Sequence, residues 1–414
     1  MKLLIIADDF TGALDTGVQF AKSGASTKVI VGTEVDFSCV EETVLVADTE
    51  TRHLSKEEAY DIVYELSSKA EKAGVQYIYK KTDSALRGNI GAELGALVAA
   101  SGQKILPFVP AFPQMNRITK GGIHYIDGVP VTESPFGIDP FEPVKNSAVT
   151  DIIAEQSEIL TCSISQADDW KADKSSEEIV VFDAISSDDL ESIGRKIADN
   201  ECLHIMAGCA GFGEILPKLL NIASDREADI PKLDSRFLVI CGSVNPITVA
   251  QVAEAEKNGF SHIHLTPRQK LKADYWQSDE GKAEFDNICR VIKENPLCII
   301  DSNDEGGNEL TRAYALSQGL GIEDIRQGIS KTIGYIVGEL FTNPDVRTLF
   351  ITGGDTLLEC MKCVGVNELE PLCEMRKGVV LSKFTYKECS RYVISKSGGF
   401  GEKTLLVDLA KEIQ

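Results

Sequence analysis

Four times within the first 115 residues, a short apolar run that reads as a β-strand ends in a compact cluster of turn-forming or polar residues. The clusters are Asp8-Asp9-Phe10-Thr11-Gly12 after "KLLIIA", Asp48 to Arg52 after "TVLVA", Lys80 to Arg87 after "YIY", and Pro110 to Pro113 after "ILPFV". In an open parallel sheet the carboxyl ends of the strands share one edge and ligands bind in the crevice there, so these clusters are expected to converge on one pocket. That pocket would offer carboxylates able to take a proton or hold a cation, beside lysine and arginine able to clamp an anion. Such chemistry suits a small molecule carrying a carboxylate and hydroxyl groups.

The helical segments between the runs give a doubly wound α/β reading. Thr11 could cap a helix ending near Ser23-Gly24, and Ser55 caps another with glutamates in its first turn and Gly74 past its end. Asp127-Gly128 sits between alternating apolar residues, a strong hairpin signal. The proline-rich "SPFGIDPFEPV" follows it, and this excursion could form a lid or an oligomer contact. A chain of 414 residues exceeds what one core usually supports. The polar stretch at residues 222 to 235 is the expected boundary, dividing a substrate domain (1–228) from a nucleotide-binding domain (229–414). The fold class expected is therefore two Rossmann-like α/β domains with mainly parallel sheets.

A formal net charge of −22 argues against nucleic acid as a partner, since basic surfaces bind it. The same charge repels anionic substrates at long range, so any anion must be captured by local cations, helix N-termini or a bridging metal ion. No stretch approaches the ~20 apolar residues of a membrane span, and two early aspartates interrupt any signal-peptide core. Eleven cysteines without framework spacing fit reduced thiols, so a cytoplasmic protein is expected.

In "KKTDSALRG", Lys80, Lys81, Thr82, Asp83, Ser84 and Arg87 locally reverse the charge of an acidic chain, which favours anion capture over a solvated turn. In "ADDFTG" one carboxylate could merely cap a helix. Two adjacent ones suggest chemistry, with Asp9 facing the ligand and Asp8 diverging from it. Arg52 alone could be a surface residue, but it stands at a strand end.

The second half carries three glycine turns at strand-to-helix junctions: "CGSVNP" with Ser243, "TGGDT" from Gly353 to Thr356, and "KSGGFGE" with Gly398, Gly399 and Gly401. Backbone amides approach phosphates closely only where side chains are absent, so jointly these turns support a nucleotide-phosphate site. No segment fits the Walker-type P-loop, and "GCAGFGE" at 208 to 214 does not match the dinucleotide fingerprint. Cys360 and Cys363 form one C-x-x-C that reads better as buried thiols than as a zinc site. The five histidines show no metal-binding spacing, and His53 and His124 read as surface or core.

Taken in order, "ADDFTGALDTG", "DTETR", "KKTDSALRGNIGAE", "PAFPQMNRITKGGIHYIDGVPVTES", "CGSVNPIT", "ITGGDT" and "SKSGGFGE" resemble the motifs of the four-carbon acid sugar kinases over essentially the whole chain. The resemblance implies ATP-dependent, Mg²⁺-assisted phosphorylation of the C4 hydroxyl of a tetronate-type acid. It implies substrate contacts at Asp9, Arg52, Lys81, Thr82, Asp83 and Ser84. For the chemistry, Asp9 or Asp83 would orient the hydroxyl and accept its proton, Arg52 or Lys81 would hold the acid's carboxylate, and Lys81, Lys80 or Arg87 could stabilise the transferring group. ATP contacts are implied at Ser243, Gly353, Gly354, Asp355, Thr356, Gly399 and Gly401. Ala85 departs from the residue common in relatives, with little consequence expected. The segment after "PAFP" is more similar to D-threonate and D-erythronate kinases than to 3-oxo-tetronate kinases. The alternatives are a 3-oxo-tetronate 4-kinase, a dinucleotide-dependent oxidoreductase and a non-catalytic sugar-acid sensor. The metal ligands and the stereoisomer preferred are not specified, and a homodimer is left open.

Overall fold

Each apolar run that ends in a cluster becomes a strand. The computed structural model describes residues 1–138, 143–224, 230–343 and 345–413. The chain forms two compact units, Met1–Ala228 and Asp229–Gln414. Part of the proline-rich loop (139–142) and part of the expected boundary (225–229) lie outside the described residues.

In the first unit the strands are β1 (Leu3–Ala7), β2 (Thr27–Val31), β3 (Val44–Asp48), β4 (Tyr77–Lys81), β5 (Ile105–Val109), β6 (Arg117–Lys120), β7 (Ile123–Ile126), β8 (Val129–Pro130), β9 (Leu160–Ile164), β10 (Glu178–Phe182) and β11 (Ile205–Gly208). Its main sheet runs β2-β3-β1-β4-β11-β5-β10-β9 with every neighbouring pair parallel. Parallel sheets need both faces covered, which is why β1, β3 and β5 are buried along their whole length. From β1 the chain winds first to the β2-β3 side and then to the β4 side. The order therefore reverses beside β1, and a crevice opens at that switch point.

The second unit contains β12 (Phe237–Cys241), β13 (Ser261–His264), β14 (Leu297–Asp301), β15 (Thr348–Thr352), β16 (Glu368–Arg376), β17 (Val379–Tyr386) and β18 (Cys389–Lys396). Its order is β13-β14-β12-β15-β18-β17-β16, parallel from β13 through β18 and antiparallel thereafter. The first four strands repeat the winding of β1 to β4, so the second switch point lies beside β12. Each unit has its own apolar core, around Leu4, Leu94 and Phe108 in the first and Val239, Phe350 and Ile394 in the second. Among the described residues no helix is long and apolar enough to cross a membrane.

Local chemistry accounts for most boundaries. Ser55 and Glu58 form a reciprocal cap at the start of helix Lys56–Lys72. Asp127 and Gly128 both take positive φ, 49° and 85°, the type I′ geometry that joins β7 to β8. Two expectations need correction. Helix Phe10–Ala21 is capped by Asp9, with Thr11 already inside it, because Asp9 stands in extended backbone three residues before the Gly12 amide that its carboxylate accepts from. The β16–β17 ladder has no counterpart in the sequence reading: Pro371 and two register shifts, at Pro371/Cys373 and Glu374/Arg376, break the period-two signal.

Candidate functional site

Beside β1 the sheet edge gathers charged side chains of both signs. Asp8 and Asp9 leave β1 together, and both meet Arg52, which the short turn Thr51–His53 delivers from the end of β3. Arg52 Nε donates to Asp8 Oδ2 at 2.8 Å, and Arg52 Nη2 lies 2.8 Å from Asp8 Oδ2 and 2.7 Å from Asp9 Oδ1. The expected divergence of the two aspartates is thus corrected: a buried guanidinium with donors on two edges draws both to itself. Asp9 Oδ1 also accepts from Gly12 N at 3.2 Å, and its Oδ2 accepts from Thr11 Oγ1 at 2.8 Å. Burial pushes the Asp9 carboxyl up, but Arg52 and Lys81 outweigh it and hold the group below the ordinary carboxylate range.

Gly12 explains how the charges approach. A Cβ there would stand 2.3 Å from Asp9 Oδ1 and 2.6 Å from Lys81 Nζ, so any other residue would push the carboxylate and the ammonium away. Lys81, at the end of β4, places its Nζ 3.9 Å from Asp8 Oδ1. Lys80, pointing to the other face, is fully buried with its Nζ 3.1 Å from Glu93 Oε2, and so ties β4 to helix Ile90–Ser101 rather than facing the crevice.

Asp83 is saturated by its own loop. Its Oδ2 accepts from Arg87 Nε at 2.8 Å and from the amides of Ala85 and Arg87, and its Oδ1 accepts from Arg87 Nη2 at 3.0 Å. Burial raises this carboxyl, yet Arg87 and Arg52 win and hold it well below the usual range. Ser84 Oγ accepts from Arg117 Nη1, contributed by β6. Arg87 and Arg117 both stand over the Phe136 ring, at 5.1 and 5.2 Å. His124 is buried, with Nε2 2.9 Å from Ser84 O and Nδ1 3.0 Å from Thr119 Oγ1. It therefore fastens the hairpin to the Ser84 loop as a neutral ring, and burial lowers its pKa to about 4. His53 is exposed. Thr82 is fully buried, its amide donating to Gly208 O at 2.8 Å. Asp8, Asp9 and Asp83 thus face Arg52, Lys81, Arg87 and Arg117, while Glu50, which accepts from the Phe10 amide at 3.2 Å, and Asp48 add carboxyl groups to the same edge.

In the second unit the three glycine turns follow β12, β15 and β18, which are neighbours in the sheet. They come together closely. A Cβ on Gly242 would stand 1.8 Å from Thr356 Oγ1, and one on Gly398 would stand 2.7 Å from Ser243 Oγ. Gly353 has φ +106°, a conformation that favours glycine, and a Cβ there would lie 3.6 Å from the Ser243 amide. Helices Pro246–Lys257 and Gly354–Cys363 start there, adding unpaired amides and positive potential. Beneath the third turn the buried Lys396 ammonium donates to the carbonyls of Ser397, Gly398 and Phe400 and to Thr248 Oγ1, at 3.0–3.1 Å. Burial lowers its pKa to about 8. Gln251 Nε2 stands 3.0 Å from each of the carbonyls of Phe400, Gly401 and Glu402.

Comparison with known proteins agrees with this division. A family described as a sugar-binding N-terminal domain matches residues 3–216, and one described as a nucleotide-binding C-terminal domain matches residues 238–406. The chain is 29% identical to a D-threonate kinase of Salmonella typhimurium, over 99% of this chain and 97% of the relative. It is 26% identical to a D-erythronate kinase of Heliobacterium modesticaldum (89% and 87% covered) and 25% identical to a 3-oxo-tetronate kinase of Burkholderia multivorans (96% and 94% covered). This chain belongs to the four-carbon acid sugar kinase family. Crystal structures of proteins from Salmonella typhimurium LT2 and Haemophilus influenzae share its fold, with TM-scores of 0.81 and 0.73 at 20% identity, the first covering 100% and the second 99% of both chains.

Within this kinase the structure brings Asp9, Arg52, Lys81, Asp83 and Ser84 to one edge of the first unit, and Ser243, Gly353, Gly354 and Thr356 to one edge of the second. Gly399 lies at the same edge, where a Cβ would stand 3.8 Å from Asn245 Nδ2, whereas Gly401 turns toward Leu405. Asp355 is exposed and pairs with Arg326 at 3.4 Å. Arg117, Phe136, Lys396 and Gln251 escaped the sequence reading; only the positive charge of Arg117 and Lys396 inside resemblance motifs hinted at them. All eleven cysteines are free thiols, and of the C-x-x-C pair Cys360 is buried but Cys363 is exposed, a correction that follows from Cys363 being the last residue of helix Gly354–Cys363.

Proposed function

We propose that this kinase transfers the γ-phosphoryl group of ATP to the C4 hydroxyl of D-threonate or D-erythronate. The observation that carries the reading is the pairing of the Asp9 carboxylate and the Lys81 ammonium across Gly12 at the β1 switch point. It puts a proton acceptor and an anion-holding cation within one small-molecule length of each other. Asp9 orients the acceptor hydroxyl and takes its proton. Asp83 is the weaker base, because its oxygens already accept four hydrogen bonds from its own loop. Lys81, with Arg87 and Arg117 beyond it, holds the acid's carboxylate, and Thr82 and Ser84 line the same loop. Arg52 works chiefly by fixing Asp8 and Asp9.

The nucleotide phosphates are taken by the main-chain amides around Ser243, Gly353 to Thr356 and Gly399. Mg²⁺ arriving with the nucleotide supplies charge neutralisation, the principal need of phosphoryl transfer alongside positioning. Similarity to the D-threonate kinase over nearly the full chain supports the choice of acid. The test is a coupled ADP-release assay of the purified chain with Mg-ATP and a panel of D- and L-threonate, D- and L-erythronate and the 3-oxo acids, with ³¹P NMR to locate the ester. Turnover confined to the 3-oxo acids, or an ester at another carbon, would overturn it.

A further inference from the structure

We infer that His262, His264 and Asp301 form a binding site for a divalent transition-metal ion of the zinc class at the edge of the second unit's sheet. One ligand atom from each lies within 4.8 Å of the other two. The sheet register makes this arrangement. β13 and β14 are parallel with His264 opposite Asp301, and His262, two residues earlier on the same strand, projects from the same face.

The surrounding hydrogen bonds prepare each ligand. His264 Nδ1 lies 3.0 Å from Asn303 O, an atom that can only accept, so the ring carries its proton on Nδ1 and keeps the Nε2 lone pair for a metal. Asp301 Oδ1 accepts from both the Asn303 amide and Asn303 Nδ2 at 2.8 Å, which locks the carboxylate and leaves Oδ2 forward. His262 Nε2 stands 3.3 Å from that Oδ2, long for a charge-assisted hydrogen bond but equal to the edge of a tetrahedron around an ion ~2.0 Å from each ligand.

His262 is the discriminating residue. Its side chain is 8% exposed, and its Nδ1 is buried without a hydrogen-bond partner, 3.8 Å from Glu256 Oε2. With the proton on Nε2, a buried Nδ1 lone pair faces a carboxylate. With the proton on Nδ1, the Nε2 lone pair faces the Asp301 carboxylate. Either neutral tautomer sets two electron pairs against each other; a second proton on the ring would satisfy both carboxylates, and so would a cation between Nε2 and Oδ2 with Nδ1–H pointing at Glu256, the arrangement that the nearby His264 Nε2 lone pair completes. Two imidazoles with one carboxylate are borderline-soft ligands that suit zinc-class ions, whereas Mg²⁺ takes oxygen-only sets. Three protein ligands leave a fourth position for water. Asn303 Nδ2 also donates to Ser243 O at 3.1 Å, so an ion here would stiffen the first glycine turn.

The test uses the full chain after chelator treatment, titrated calorimetrically with Zn²⁺ in excess Mg²⁺. One equivalent is expected to bind, weakened by at least about 100-fold in His264→Ala and in His262→Ala, since even outer-sphere losses cost 10- to 100-fold. X-ray absorption of the zinc-loaded native chain should show a nitrogen and oxygen shell with imidazole scattering, which reads the site even where a variant fails to fold. Binding that is undiminished in folded variants, sulfur in the metal shell, displacement by equimolar Mg²⁺, or no zinc uptake would each overturn the assignment.

Discussion

Arg52 Nη2 stands 2.7 Å from Asp9 Oδ1 in a setting where the Arg52 side chain is only 9% exposed. The pair fixes the carboxylate that the proposed chemistry needs. Asp9→Asn keeps the shape and the helix cap but removes the base. Its kcat should fall by about 10²- to 10⁴-fold with the Kd for ATP unchanged, measured by steady-state kinetics and calorimetry. Near-normal turnover would take Asp9 out of the chemistry.

Removing the other partner acts on folding as well. Arg52→Ala leaves the buried Asp8 and the part-exposed Asp9 with Lys81 as their remaining counter-charge, a loss of up to about 3–5 kcal/mol for a broken buried pair. Denaturant unfolding should show that drop together with a lower kcat. A variant as stable as the native chain, altered only in KM, would make Arg52 a substrate clamp instead of a positioning residue.

Gly12→Ala isolates geometry from charge. The added Cβ displaces the carboxylate that caps the helix on the Gly12 amide, so thermal stability should fall modestly, by about 1 kcal/mol. The added methyl would stand 2.3 and 2.6 Å from Asp9 Oδ1 and Lys81 Nζ, so both must move, and a misplacement of about 1 Å can cost about 10²-fold in kcat/KM. Unchanged kinetics would mean that the two groups need not sit so close.

His124 should write a pH dependence into stability. Its neutral form is the one that fits the hairpin, with a pKa of about 4 in the folded chain against an ordinary 6.5. Between those values the unfolded chain binds the extra proton, so this contribution is intact above pH ~6.5 and lost as pH falls to about 4, in total about 3 kcal/mol. Chemical denaturation of the native chain and His124→Gln across pH 4 to 7 should show a shallower acid-side fall in the variant. Parallel curves would assign the acid loss to carboxylates alone.

Lys396→Met tests the floor of the third glycine turn. Without the ammonium, the carbonyls of Ser397, Gly398 and Phe400 lose their shared donor. ATP affinity should weaken by about 10-fold or more, close to 1.4 kcal/mol, while the affinity for the acid is unchanged. Equal loss of both affinities would point to general unfolding.

The sequence shows where the strands end but not which way their side chains reach. The β1 and β4 clusters were legible because apolar runs stop abruptly at charge. Even so, the meeting of Asp8 and Asp9 at Arg52 depends on a register no one-dimensional pattern carries, Ala7 beside Asp48 on one flank and Lys81 on the other. Asp127-Gly128 was readable because its positive φ values demand those residue types. Arg117 was not, since its arrival over Phe136 depends on how the hairpin folds back. The same limit hid the histidines of β13: "HIH" is an unremarkable alternation until β14 sets Asp301 beside it.

Lys396 and Gln251 together grasp the carbonyls from Ser397 to Glu402 before any ligand arrives. A segment with three glycines would otherwise wander through many conformers and surrender that freedom on each encounter. Anchored from below, it surrenders little, so the association rate with nucleotide should be set by diffusion rather than by waiting for a rare loop shape, and mutations under the turn should register in that rate before they register anywhere else.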